Sequence, residues 1–239
     1  MRIDLAVPAY NEALVIKDSV QTIRTALEAL THDVRIIVVD NNSTDGTGDV
    51  VRSLGLPNVI VHREVNQGKG AAVISAACLS KAPIFGFIDA DLSVHPKEIG
   101  RLLRAIEKSG ADVIIGSRLL DSSKVNRSLL RTLSSRIFNR LQRHLVGTPV
   151  SDTQCGLKFM TLEAKKYLIE TQERGWFFDM EFLARTHGAG KIIQEVPIGW
   201  EEFHTRDRKS KLKLLPETLH AVQSMLRIKK VLKQKKYGT

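Results

Sequence analysis

The 239-residue sequence has only two cysteines, Cys78 and Cys155. Two thiols so placed build no disulfide framework and lack metal-ligand spacing, so a reducing cytoplasm is the expected setting. No apolar run approaches the roughly 18 residues that mark a transmembrane helix, and none is expected. The opening MRIDLAVPAYNE turns acidic too soon for a secretory signal. No internal repeat or low-complexity linker divides the chain, so one continuous domain is expected. G-x-x-x-x-G-K-[ST] is missing, which excludes a Walker loop, and without G-x-G-x-x-G a dinucleotide fold is not indicated. At 43% hydrophobic and 26% charged residues, the composition is that of a globular protein with a sizeable core, not of a disordered chain.

What is present is a net charge of +10, unevenly spread. Residues 1–120 hold 13 basic and 14 acidic side chains, residues 121–204 hold 12 and 10, and the last 35 hold 11 and 2. The first half is electrically neutral, so its chemistry does not rest on bulk charge. The C-terminal end should attract something anionic: phosphates, nucleic acid or a membrane surface.

The first half alternates strand and helix signals. Apolar runs at 3–7, 35–39, 59–62, 84–88 and 113–115 read as short strands. Helical patterns fill 13–30, the stretch around Val50 and Val51 (with Thr44 or Asp45 as its cap), 69–80 and 96–108. This repeat predicts an α/β fold, an open, mostly parallel sheet with helices on both faces. Ligands of such sheets bind outside the carboxyl ends of the strands. The residues ending these strands, Pro8 to Glu12, Asp40, Asp89, Asp91, Ser117 and Arg118, are therefore the candidates for chemistry.

Asp89-Ala-Asp91 places two carboxylates at the open end of an apolar strand, where hard oxygens can share Mg2+ or Mn2+ with diphosphate oxygens. Such a pair also simply ends many strands. Asp40 can accept hydrogen bonds from a nucleobase or ribose, or it can hold its own turn amides. Asn66-Gln67-Gly68-Lys69-Gly70 precedes a helix and can bring backbone donors and one ammonium to a phosphate.

In their order and spacing, VPAYNE, VVDNNSTDGT, NQGKG, DADLSVHP and GSR resemble family 2 glycosyltransferases of the GT-A fold. DTQCGLK (152–158), WFFDME (176–181), Val196-Pro197, Trp200 and SKL (210–212) extend the likeness, toward the branch that glycosylates dolichyl or polyprenyl phosphate. The resemblance covers about residues 3–215 and leaves 216–239 as a basic helix or tail. It implies a nucleotide-sugar half at 1–120 and an acceptor half at 121–215.

Residue by residue, the resemblance implies that Pro8, Tyr10, Glu12 and Asp40 hold the nucleoside. Lys69, Asp89, Arg206, Arg208, Ser210 and Lys211 would meet the rest of the nucleotide sugar. Asp89 and Asp91 would hold the metal, Mg2+ or Mn2+. Asp179, Glu181 and Trp200 would lie at the sugar, and Arg118 with Arg131 at the acceptor phosphate. Asp91, Asp179 and Arg118 are then the catalytic candidates, although FDMEF can also be a plain helix start capped by Asp179, and 206–211 a solvated basic linker. Ser93 stands where some mannosyltransferases of the branch carry a Gln beside the metal. The expected reaction is inverting hexose transfer from a nucleotide diphosphate sugar, UDP-glucose ahead of GDP-mannose, to polyprenyl or dolichyl phosphate.

Residues 127–146 place Leu129, Leu130, Leu133, Ile137 and Leu141 on one helical stripe edged by Arg127, Arg131, Arg136, Arg140 and Arg143. Residues 216–236 interleave Leu219, Val222, Leu226 and Val231 with five lysines. Such helices fit peripheral attachment to an anionic membrane surface, on its cytoplasmic face, and the first fits a core helix with a basic rim as well. The alternative is a soluble family 2 enzyme acting on a sugar or small hydroxy acid, which would need a general base. No nucleic-acid partner is expected, because the tail has Tyr237 as its single aromatic and no reader motif.

Overall fold

The computed structural model describes residues 1–30, 32–126, 129–201 and 214–237, without the side chains of 126–137, 214–220 and 233–237. Seven strands form the main sheet: β1 (Arg2–Ala9), β2 (Asp33–Asp40), β3 (Val59–Arg63), β4 (Ile84–Ile88), β5 (Val113–Ser117), β7 (Leu157–Thr161) and β8 (Ile193–Pro197). Their order is β3-β2-β1-β4-β7-β5-β8. Six run parallel and β7 opposes its neighbours β4 and β5. A small parallel pair, β6 (Lys124–Asn126) with β9 (Gly199–Glu201), lies beside it.

The central strands β4 (IFGFI) and β5 (VIIGS) are fully buried and almost wholly apolar because both sheet faces are covered. On one face Ile3, Leu5 and Val7 pack against α1 (Ile16–Glu28) and α4 (Lys97–Ser109). On the other, Ala6, Phe85 and Phe87 meet α3 (Lys69–Leu79), α6 (Leu162–Ile169) and α7 (Phe178–Gly188). α2 (Thr47–Ser53) joins the first face through Val51. A third cluster joins α5 (Leu129–Val146), α7 and α8 (Leu214–Tyr237) through Phe138, Val146, Phe177, Met180, Ala221, Met225 and Ile228.

The expected α/β architecture is present, with several differences. The first helix begins at Ile16 rather than residue 13, because the carbonyl of Glu12 accepts the amides of Val15 and Ile16 and closes a turn first. The N-cap of α2 is Gly46, with no side-chain cap, and neither Thr44 nor Asp45; Asp45, one residue earlier, accepts the Thr47 amide. The helix expected over 216–236 starts at Leu214. It buries Ala221, Met225 and Ile228, while Val222 and Leu226 of the expected stripe face outward. On α5 likewise, Leu141 is exposed and the packing is made by Phe138, Leu145 and Val146.

Candidate active site

The carboxyl ends of β1, β2 and β4 open on a cavity of about 390 Å³. Two turns build its rim. Asn11 adopts a left-handed backbone (φ 52), and its amide donates to Ser43 Oγ while its side-chain oxygen accepts the Thr44 amide. The Glu12 amide donates to Thr47 Oγ1, and the Ala13 amide to Asp45. The turns after β1 and β2 are thus clasped by side chains, which is why both are rich in Asn, Ser, Thr and Asp. The clasp leaves Tyr10 40% exposed at the cavity.

Of the expected residues, Pro8, Tyr10, Glu12, Lys69, Asp89 and Asp91 line the cavity together. The Lys69 ammonium lies 2.6 Å from Asp89. Burial works against its charge, but Asp89, Asp179 and Asp91 outweigh burial and raise its pKa. Asp91 is exposed at the wall and accepts the Ser93 amide at 3.0 Å. Crowding around its carboxylate, then the charge of Asp89, pushes its pKa up. Gly156 explains the glycine of the DTQCG segment: its carbonyl accepts the Asp89 amide, and a β-carbon there would overlap the Asp89 carboxylate.

Other expected residues stand elsewhere. Asp40 is not on the wall: its carboxylate accepts the Ser43 amide and lies against Gly48, so it holds its own turn. Asn41 takes its place, tying the 64–68 loop by bonds to Asn66 O and from the Gly68 amide. Three backbone donors at the glycine-rich loop and the start of α3 are already used within the protein. The Gly68 amide goes to Asn41, and those of Gly70 and Ala71 go to Gly175 and Arg174 carbonyls. Gly68 sits at φ 141, and a β-carbon on it would overlap the Arg174 carbonyl.

Asp179 is 1% exposed and lies off the cavity wall, 2.8 Å from the wholly buried Lys158 ammonium. Burial raises its pKa in spite of Lys158 and Lys69. Glu181 stands apart from the cavity wall. Two residues further along α7 it points to another side, where it accepts the amides of Gln172 and Glu173 and pairs with Arg185, and so braces the loop before α7. Arg118 is gripped by both oxygens of Asp152, at 2.7 and 2.8 Å, and sits 5.9 Å over Trp200. Burial disfavours both charges of that pair, yet each stabilises the other, raising the Arg118 pKa and lowering that of Asp152. Trp200, on β9, bridges Val94 of the Asp89–Asp91 loop. The Arg131 side chain, Arg206, Arg208, Ser210 and Lys211 lie outside the described residues.

Sequence reasoning missed Asn41, Gln67 and Trp176 on the wall, and Asp152 and Lys158 behind it. The signal for Lys158 was a lysine inside the apolar stretch LKFMT; that for Trp176 was an indole following the polar QERG.

This is a doubly covered α/β sheet with acidic and basic groups gathered at its carboxyl edge, the GT-A arrangement. The model of the Glycosyl transferase family 2 matches residues 4–168, and the chain belongs to that family. A glycosyltransferase of Haloferax volcanii is 28% identical over 207 residues, 84% of this chain and 33% of that protein. A dolichyl-phosphate beta-glucosyltransferase of Trichomonas vaginalis is 31% identical over 82% of this chain and 63% of its own length. The chain thus spans a third and under two thirds of these two relatives. The polyprenol monophosphomannose synthase of Mycolicibacterium smegmatis is 30% identical, over 82% of this chain and 76% of the relative. In fold, the chain matches the glucosyl-3-phosphoglycerate synthase of Mycobacterium tuberculosis bound to uridine diphosphate. The TM-score is 0.69 at 21% identity, over 95% of this chain and 80% of the other.

Proposed function

We propose that the protein transfers a hexose, with inversion, from a nucleotide diphosphate sugar to polyprenyl or dolichyl phosphate at the cytoplasmic face of a membrane. UDP-glucose is the favoured donor and GDP-mannose the next. The observation that carries this reading is the cavity in which Tyr10, Lys69, Asp89 and Asp91 converge. It suits a flat base at one end and a diphosphate at the other. The names of the Trichomonas and Mycolicibacterium relatives support a lipid-phosphate acceptor.

Asp89 and Asp91 fit a divalent cation. Both are hard oxygen donors, and among the described residues no cluster of three His, Cys, Asp or Glu forms a closed cage. Mg2+ and Mn2+ suit such an open pair, because they retain waters and share substrate phosphates. When bound, the ion would stabilise the negative charge of the leaving diphosphate. Lys69 adds a fixed positive charge to the same place, in a site too buried for water to screen it fully.

A lipid monophosphate is already ionised near neutral pH, since a phosphate's second pKa is about 6. The acceptor then needs no general base. That agrees with Asp179 being held behind Lys69 by Lys158. Arg118, fixed by Asp152, would offset the repulsion between two anionic substrates. The outward faces of α5 (Arg140, Leu141, Arg143) and α8 (Val222, Leu226, Arg227, Lys230) support peripheral attachment. No helix among the described residues is long and apolar enough to cross a membrane.

The test is incubation with radiolabelled UDP-glucose or GDP-mannose, Mn2+ and polyprenyl phosphate. Labelled lipid is expected. If no nucleotide sugar labels lipid, while label passes to a soluble sugar or hydroxy acid, the lipid-acceptor reading fails.

A further inference from the structure

One wall of the cavity is unused by this mechanism. Between α6 and α7, residues 171–177 have no regular structure, yet they carry Trp176, 54% exposed and 5.5 Å from the Lys69 ammonium. An indole over an ammonium favours its charge and fixes its direction. Here Lys69 is held between Trp176 and Phe87 and aimed at Asp89.

A segment without its own ladder keeps its place only through its anchors. Arg174 and Gly175 carbonyls accept amides from the start of α3, and Glu181 accepts those of Gln172 and Glu173. The remaining anchor comes from far along the chain. Glu173, nearly buried, accepts the Gly175 amide with one oxygen and pairs with Arg227 of α8 through the other. Phe177, at the end of the segment, belongs to the cluster that holds Met225 and Ile228 of α8.

We propose that α8 is part of the donor site. Arg227 is a positioning residue that acts through Glu173 on Trp176, and so on the ammonium that receives the donor's diphosphate. This rests on the donor-site reading above. The Arg227 side chain is 60% exposed, so it can be changed without emptying the core.

The sequence has two tryptophans, so in a Trp200→Phe background Trp176 emission reports ligand binding alone. Titration with UDP, GDP, uridine and guanosine then separates phosphate from nucleoside effects. Arg227→Met should weaken diphosphate binding about threefold to fivefold, leave nucleoside binding unchanged, and be largely rescued by Arg227→Lys. Trp176→Leu, followed by calorimetry, should weaken it about tenfold. An unchanged Kd for the diphosphate in Arg227→Met, with or without a lower Tm, overturns the proposal. So does an equal loss for the nucleoside. If neither diphosphate binds the unaltered protein, the donor-site reading falls and this inference with it.

Discussion

The cavity wall and the side of the molecule behind it use charge in opposite ways. On the side built by β1, β2 and β4, the side chains of Tyr10, Glu12 and Asp91 reach the opening, and backbone amides satisfied by Asn, Ser, Thr and Asp hold the turns beneath them. On the side built by β5, β7 and α7, the charges are buried in pairs: Arg118 with Asp152, Lys158 with Asp179, Glu181 with Arg185. A buried charge is tolerated only with a close partner, and removing that partner leaves the other stranded. The first side is therefore shaped to meet a ligand, and the second to hold the frame that aims it.

The sharpest way to break this contrast is to mutate each side for the property of the other. Asp91→Asn should lower kcat about 10²–10³-fold, the range for loss of one fixed electrostatic group at a reacting centre. It should not lower Tm, because it relieves repulsion from Asp89. A lower Tm with activity preserved would place Asp91 in the frame instead. Steady-state kinetics beside thermal melts decide it.

Asp152→Asn should act the other way, costing about 3–5 kcal/mol of stability by stranding the Arg118 charge. Its pH signature follows from a folded-state pKa below the ordinary value. The stabilisation from Asp152 is complete above the unfolded carboxyl pKa of about 4 and is lost as pH falls through the lower folded value. Urea melts should then show the gap between the unaltered protein and Asp152→Asn at full width above about pH 4 and closing as pH falls below it. A constant gap across that range would mean that Asp152 acts by packing and not by charge.

How legible each side was follows from the same physics. β1, β2, β4 and β5 each hold at least three apolar residues in a row shortly before polar residues, so both the strands and the site residues after them could be read directly. β7 was not, because Lys158 interrupts its run, and the Asp179 that neutralises it lies 21 residues away on a helix. Its antiparallel insertion between β4 and β5 also has no local signature. Asp40 was expected at the ligand and Asn41 was not, since the turn decides which of two adjacent polar residues points inward. The loop contacts of Glu181 were hidden for a related reason: a motif records that a carboxylate is needed, not which groups it meets. On α8 the apolar residues form two stripes, and periodicity alone does not say which one faces the core.

The outward stripe of α8 gives the smallest expected effect and completes the contrast, for here charge sits neither at a ligand nor in a buried pair. Leu226 is 55% exposed, and Lys230, one turn further on, is basic and exposed. Leu226→Glu should shift folding stability by no more than about 0.5 kcal/mol, as for a surface substitution. In vesicles containing an anionic lipid, the same change removes apolar contact and adds repulsion from the headgroups, where each basic residue contributes about 1 kcal/mol of attraction. Sedimentation with such vesicles should fall several-fold for Leu226→Glu, and fall also for the unaltered protein as salt is raised, because surface charge is screened over about 10 Å at 0.1 M. Equal sedimentation of the two proteins would make the stripe an ordinary exposed face and remove its support for membrane attachment.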